Sequence, residues 1–282
     1  MPPLLKIRAE RDQMSAIERR IADFLLENAH LLRDYSSQQL ADALQISQSS
    51  VVKFSQKLGF KGYPDLKYSV GEAVARNGGG EVAGKARATK SPTPDVLAES
   101  LWQSKTRAEE ETRLINHSDT LAEAAELMTS AGRVFCLGLG DDGIPAQAFA
   151  MRLALLGIHA LHHTDAVLMT ASVSSAQRGD LLLVFSEHGQ HPPLNQISKQ
   201  IRERHGKVVS VTRHTSNPLR AHADVALLVS AHDERPHIQP LLYQSALLHV
   251  LDQIFVLLCD GIRLERLTAN LDHVQQLMDP KL

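Results

Sequence analysis

Aromatic side chains make up only 4% of this 282-residue chain, with a single tryptophan among them. That scarcity argues against broad stacking platforms for single-stranded nucleic acid, which need an aromatic face for successive bases. Cysteine is scarcer still. Cys136 and Cys259 sit in apolar runs far apart in sequence, which excludes a disulfide scaffold and fits a reducing compartment. Long apolar runs are missing as well. The best candidate, "LLHVLDQIFVLLCDG", is interrupted by His249, Asp252 and Gln253, so a spanning helix is not expected there. The opening "MPPLLKIRAERDQ" has no apolar core of signal-peptide length. A cytoplasmic chain with no membrane partner is expected. No charge of one sign dominates either, the net being −2.

What is present is unevenly placed. Apolar residues at 43% can bury a real core, and 22% charged residues keep it solvated. Residues 1–76 carry 11 basic and 9 acidic side chains, a balance of +2. Residues 77–94 add Lys85, Arg87 and Lys90 against Glu81, another +2, and the remainder carries −6. A mildly basic front and an acidic back suggest different partners for the two parts. Between them, "NGGGEVAGKARATKSPTP" breaks every apolar period and reads as a flexible linker over 77–94. The expected domains are therefore 1–76 and 95–282.

The front part has a helical period throughout. Ser15 to Glu18 is a capping box ahead of Ile17, Ile21, Phe24 and Leu25, which share one face. Ser36 to Gln39 repeats the signal ahead of Leu40, Ala41 and Leu44. Ser47 opens a further helix with Val51, Phe54 and Leu58 inward, and another is expected from about Asp65 to Arg76. Helices over Ser37–Leu44 and Gln48–Leu58 lie only three residues apart, the spacing of a helix-turn-helix. In that motif the second helix enters the major groove with its first residues against base edges. Its amino end also offers free N–H groups and a partial positive charge to phosphates. The candidate DNA-binding residues are thus Ser47, Gln48, Ser49, Ser50, Lys53, Gln56 and Lys57. The helix carries no acid, which avoids repelling the phosphate backbone.

After the linker the period alternates. Helices at about 95–116 and 118–130, the second capped by Ser118, precede strands at about 133–139, 158–162, 180–186, 207–212 and 224–230. Helices of ordinary length separate the strands, and two more, about 238–259 and 263–278, close the chain. This is the pattern of an α/β doubly wound, parallel five-stranded sheet following an all-α domain.

The stretch "LADALQISQSSVVKFSQKLGFKGYPDLK" closely resembles the DNA-binding domain of the RpiR/MurR family of bacterial transcription regulators. The shared features are the serine-rich opening of the helix, the Lys-Phe pair, the "LGF-x-GY" exit and the Leu-Lys that follows. The resemblance covers about 5–76 and 118–260. It implies a sugar isomerase-like (SIS) domain after the linker that senses a phosphorylated sugar, and a role as a repressor of carbohydrate-metabolism genes. Asn217-Pro218-Leu219 also looks like the family's "SPL" segment.

Open parallel sheets bind ligands beyond the carboxyl ends of their strands. Candidate ligand residues there are Gly140, Asp141, Asp142, Ser186, His188, Gly189, Gln190 and Thr212, with His163, Asp165, His191 and His214 on the same edge. Two departures from the family stand out. Asp141 and Asp142 occupy positions where SIS sensors carry serines. The family's S-x-S-G-x-T reads here Ser186-Glu187-His188-Gly189-Gln190-His191. Carboxylates facing a phosphate dianion oppose it in a shielded cleft. A polar sugar or sugar acid, with the aspartates as hydroxyl acceptors, fits this edge better. Two alternatives stay open: an isomerase using Glu187 as acid/base, or a SIS domain that has lost its ligand and serves only to dimerise. The 14 histidines are scattered without zinc spacing, so no metal and no cofactor is expected. A homodimer or homotetramer on double-stranded operator DNA is expected, paired through the apolar helices at about 96–115 and 241–258.

Overall fold

The computed structural model describes residues 3–29, 32, 35–77, 93–215, 217–233 and 235–278, and the chain divides into two compact units, residues 1–103 with 214–216, and 104–213 with 217–282. The first is all-helical: α1 (Pro3–Glu10), α2 (Ala16–Glu27), α3 (Ser37–Ala43), α4 (Gln48–Lys57) and α5 (Tyr63–Asn77). Both expected capping boxes form. The Ser15 hydroxyl accepts from the Glu18 N–H while Glu18 accepts from the Ser15 N–H at 2.7 Å, and Ser36 and Gln39 repeat the exchange. Each box satisfies two of the N–H groups that a helix start leaves orphaned. Ile21, Leu25, Leu40, Val51, Phe54, Leu58 and Leu66 close into one core, each side chain stabilising by about 1.5–3 kcal/mol on burial.

Two expectations for this unit need correcting. Ile17 is 46% exposed rather than part of the buried face, because it lies in the first turn of α2, beyond the packed helices. Helix α1 had no counterpart in the sequence reading, although Leu5 and Ile7 bury completely and α1 packs on α2 and α5. Prolines and a basic, uncapped start hid its period. The linker expected over 77–94 falls largely on 78–92, outside the described residues.

The long helix α6 (Pro94–Ile115) and α7 (Ser118–Ser130) precede the sheet. Ser118 is the first helical residue of α7 and not its cap; His117 flanks it without a side-chain capping bond. The strands are β1 (Val134–Gly138), β2 (Ala160–His162), β3 (Leu181–Phe185), β4 (Lys207–Arg213) and β5 (Val225–Val229), all parallel in the order β2-β1-β3-β4-β5. The alternating helices are α8 (Gly143–Leu155), α9 (Ala166–Ser174) and α10 (Pro192–Glu203), followed by α11 (Gln239–Leu258) and α12 (Gly261–Met278). Phe135, Leu137, Leu182, Val184 and Val208 face α9 and α10, while α7, α8 and α11 cover the opposite face. With both faces covered, β1, β3 and most of β4 are buried along their length, so they read as continuous apolar runs.

By length and apolar content α11 could cross a membrane, yet Leu242, Ala246, Val250, Ile254 and Leu258 are buried on the sheet side. It is a core helix of this unit. Buried polar groups seal its edges. Arg133 at the start of β1 meets Asp180 at the start of β3 at 2.6 Å, and Asn116 pairs with both backbone groups of Leu228. The topological switch falls between β1 and β3, where the two halves of the sheet diverge and leave a crevice at the carboxyl edge.

Candidate nucleic-acid interface and effector cleft

Helices α3 and α4 join through a turn in which Gln45 takes a left-handed φ of 50° and the Ile46 N–H returns to the Ala41 carbonyl at 2.9 Å. Ser47 is the N-cap of α4; its hydroxyl accepts from the Ser50 N–H at 3.2 Å and meets the hydroxyls of Ser49 and Ser50 at 2.8 Å each. The Gln48 amide donates to the Ser37 hydroxyl at 2.8 Å, bracing the start of α4 against α3. Gln48, Ser49, Lys53 and Gln56 are exposed on the side away from Val51, Phe54 and Leu58. Ser50 is half-buried. All seven expected residues therefore lie on or at the start of one helix.

Lys57 behaves differently from Lys53. Its ammonium donates to both carboxylate oxygens of Glu18, at 3.0 and 2.9 Å. That contact, with the Ser15 N–H, holds the Glu18 carboxyl below the usual carboxylate range. Among the described residues Lys53 makes no ion pair, so it is the less committed cation. The Lys57–Glu18 pair was not foreseen, because its partners lie 39 residues apart and only the packing of α4 on α2 brings them together.

The second candidate site lies at the carboxyl edge of the sheet. A β-carbon at Gly138 would stand 2.3 Å from the Asp142 carbonyl oxygen, so only glycine lets the turn at 140–142 fold back onto β1. The fold-back buries Asp142 to 8% exposure and aims its carboxylate at the next strand, where it accepts the Glu187 N–H at 3.0 Å. Burial pushes the Asp142 carboxyl up; the Glu187 N–H, His191 and His188 pull the other way, and the Glu187 charge adds to the rise. Glu187 in turn accepts from Arg213 Nε at 2.7 Å, and Arg213 also donates to the Ala231 carbonyl at 2.8 Å.

The Arg213 guanidinium lies 5.7 Å from the ring centre of Tyr243 on α11. The Tyr243 hydroxyl is buried and has no hydrogen-bond partner among the described residues. Burial first, then the charges of Asp142 and Glu187, raise its phenol well above the ordinary value. Asp141, Asp142, Pro145, Glu187, Pro240, Tyr243, Gln244 and Leu247 enclose a cleft of about 40 Å³. Its chemistry is that of a site that accepts hydrogen bonds from a ligand and opposes anions.

Of the eight ligand residues expected at this edge, Asp141 and Asp142 line the cleft. Ser186 is fully buried, and its hydroxyl accepts the Gly189 N–H at 3.2 Å, which shapes the loop. Gly189 has a φ of 62°, and a β-carbon there would meet the Asn217 carboxamide at 2.1 Å. Thr212 is also fully buried and accepts from Asn217 at 3.1 Å. Gly140, His188 and Gln190 are exposed on the same edge without lining the cleft. Asp165 caps α9, accepting from Val167 and Leu168.

The sequence reading missed Arg213 and all four α11 residues of the cleft. One signal was available for Arg213. Phe185 pairs with Val211 across β3 and β4, so the same register carried two residues on sets Glu187 beside Arg213. Nothing local marks Tyr243, whose role depends on where α11 returns to the sheet.

Comparison with known proteins points one way. Residues 1–77 match the model of the helix-turn-helix domain of the rpiR family, and residues 127–257 match that of the SIS domain. The chain is 34% identical over 235 residues, 83% of each chain, to YfhH of Escherichia coli K12, an uncharacterized HTH-type transcriptional regulator. Among solved structures it resembles Vibrio vulnificus NanR in complex with ManNAc-6P, with a TM-score of 0.61, 22% identity and 98% of both chains covered. It also resembles the sugar isomerase domain of an RpiR transcription factor from Sphaerobacter thermophilus. There the TM-score is 0.56 at 19% identity, over 64% of this chain and 98% of that one.

Proposed function

The chain belongs to the rpiR family of helix-turn-helix transcriptional regulators, and from that premise we propose that it represses carbohydrate-metabolism genes under control of a sugar-class effector. Residues 1–76 would be the DNA-binding domain and 95–282 the sensing and dimerisation domain, working in the cytoplasm where the operator lies. The observation that carries the first half is α4, whose first turn presents Gln48 and Ser49 outward while its other side is anchored in the core. In the major groove such a turn offers Gln48 for a bidentate pair with adenine and Lys53 for guanine or phosphate.

For the second half, the cleft at the switch point is the natural effector site, with Asp141 and Asp142 as acceptors for ligand hydroxyls. NanR, which shares this fold, is seen with a sugar phosphate. A phosphorylated sugar therefore remains within the class, although the carboxylates here oppose a dianion. Catalysis is not part of this reading. A general base must be free to take a proton from substrate, and Glu187 is committed to Arg213.

A single helix-turn-helix touches too few phosphates for tight binding, so the regulator would act as a homodimer or homotetramer. Val96, Leu97 and Trp102 are exposed on α6, as are Leu241, Leu248 and Val256 on α11, which supports pairing through these helices. Titration of duplex DNA at increasing salt tests the reading. The affinity should fall steeply, and Lys53→Ala should reduce the slope by about one counterion. Salt-independent binding, or a monomeric mass by light scattering, contradicts it.

A further inference from the structure

We propose that the cleft between Asp142, Glu187 and Tyr243 selects a non-phosphorylated ligand bearing an ammonium group, such as an amino sugar. This rests on reading that cleft as the effector site. Three acidic residues line it, Asp141, Asp142 and Glu187, and no lysine or arginine does so among the described residues. The Arg213 guanidinium beside the Tyr243 ring already donates to Glu187 and to the Ala231 carbonyl. His188 and His191 lie close enough to act on Asp142 but sit exposed on the loop, where solvent screens them. The balance inside the cleft is therefore negative.

An independent observation comes from Tyr243. Its side chain is 2% exposed, it lines the cleft, and its hydroxyl has no partner among the described residues. A buried hydroxyl without a partner is costly, and a ligand that pairs with it recovers that cost. Placed beside two carboxylates, its oxygen best serves a ligand N–H donor that the same carboxylates attract. Size agrees. About 40 Å³ holds on the order of three waters, room enough for an ammonium group. Pro145, Pro240 and Leu247 give a carbon skeleton an apolar wall at the same cleft. An ammonium donates three hydrogen bonds and no acceptor, which complements an acceptor-rich site.

The test uses the full chain in thermal melts and isothermal titration with glucosamine, glucose, glucose 6-phosphate, inorganic phosphate and magnesium chloride. Glucosamine should raise the melting temperature saturably and bind at least about tenfold more tightly than glucose, with no response to either phosphate probe. Asp142→Asn and the conservative Tyr243→Phe should each weaken glucosamine by about tenfold while circular dichroism shows an intact fold. Tighter binding of glucose 6-phosphate than of glucosamine, or an equal response to magnesium alone, overturns the proposal. If glucose 6-phosphate binds and Tyr243→Phe weakens it, the cleft remains the effector site and only the ammonium preference falls. If no probe responds, or the responses ignore both substitutions, the effector-site reading falls with it.

Discussion

The start of α4 and the carboxyl edge of the sheet are both polar, but they are assembled in opposite ways. At α4 the serines cap and pair within a stretch of four residues, so the exposed side chains stand on a locally completed scaffold. At the sheet edge the groups come from β1, β3, β4 and α11, and one of them, the Tyr243 hydroxyl, has no partner among the described residues. The first region is finished before its ligand arrives. The second holds an unmet hydrogen-bonding demand and excess negative charge, the marks of a place where a small molecule completes the structure. On the proposed reading, the first meets a large, repetitive polyanion and the second a small effector.

The largest expected effect separates the two regions outright. Phe54→Ala should destabilise the helical unit by about 3–5 kcal/mol, since the ring is 1% exposed in its core. Urea unfolding should then show the α/β unit melting near its original midpoint while DNA binding is lost. A common shift of both transitions would break the comparison.

A smaller effect distinguishes the two ion pairs. Arg213 and Glu187 are 13% and 23% exposed, and Arg213→Ala leaves a largely buried carboxylate unpaired at a cost of about 2–3 kcal/mol. Lys57 and Glu18 are 48% and 21% exposed, so Lys57→Ala should cost less than about 1 kcal/mol. Chemical denaturation of the two variants checks the ranking.

Smaller again is the pH response, where a carboxylate from each region should move in opposite senses. The folded state lowers the Glu18 pKa, so its contribution is present above the ordinary range and is lost as pH falls through the folded value. The Asp142 pKa is raised. Its burial penalty is absent in acid and grows as pH rises through the window between the ordinary and the raised value. Glu18→Gln should therefore lower stability at neutral pH relative to acid, and Asp142→Asn should raise it. Melting curves from mildly acidic to neutral pH, taken as differences from the parent chain, read both signs.

Local signals carried most of the fold. Ser15-to-Glu18 and Ser36-to-Gln39 announce helices because a cap and its N3 partner lie three residues apart, and the apolar strands announce themselves by continuous burial. Helix α1 escaped because its burial is set by packing against α2 and α5 rather than by its own pattern. The α4 residues were legible for the same reason as the caps: one helix, one face. The cleft was half legible. Asp141 and Asp142 follow directly from the end of β1, but Arg213 required the β3–β4 register, and Tyr243 required knowing how α11 returns to the sheet. Ser186 and Thr212 were drawn into the site by position alone, whereas their hydroxyls are buried and hold the loop.

Selection of bound sequences from a random duplex pool by the parent chain and by Gln48→Ala tests the central claim most directly. The parent should enrich a motif of two related half-sites, and the variant should enrich the same motif relaxed at one base pair in each, a loss of about 1–3 kcal/mol of discrimination there. No enriched motif from the parent, or an identical motif from the variant, would contradict α4 as the reading helix.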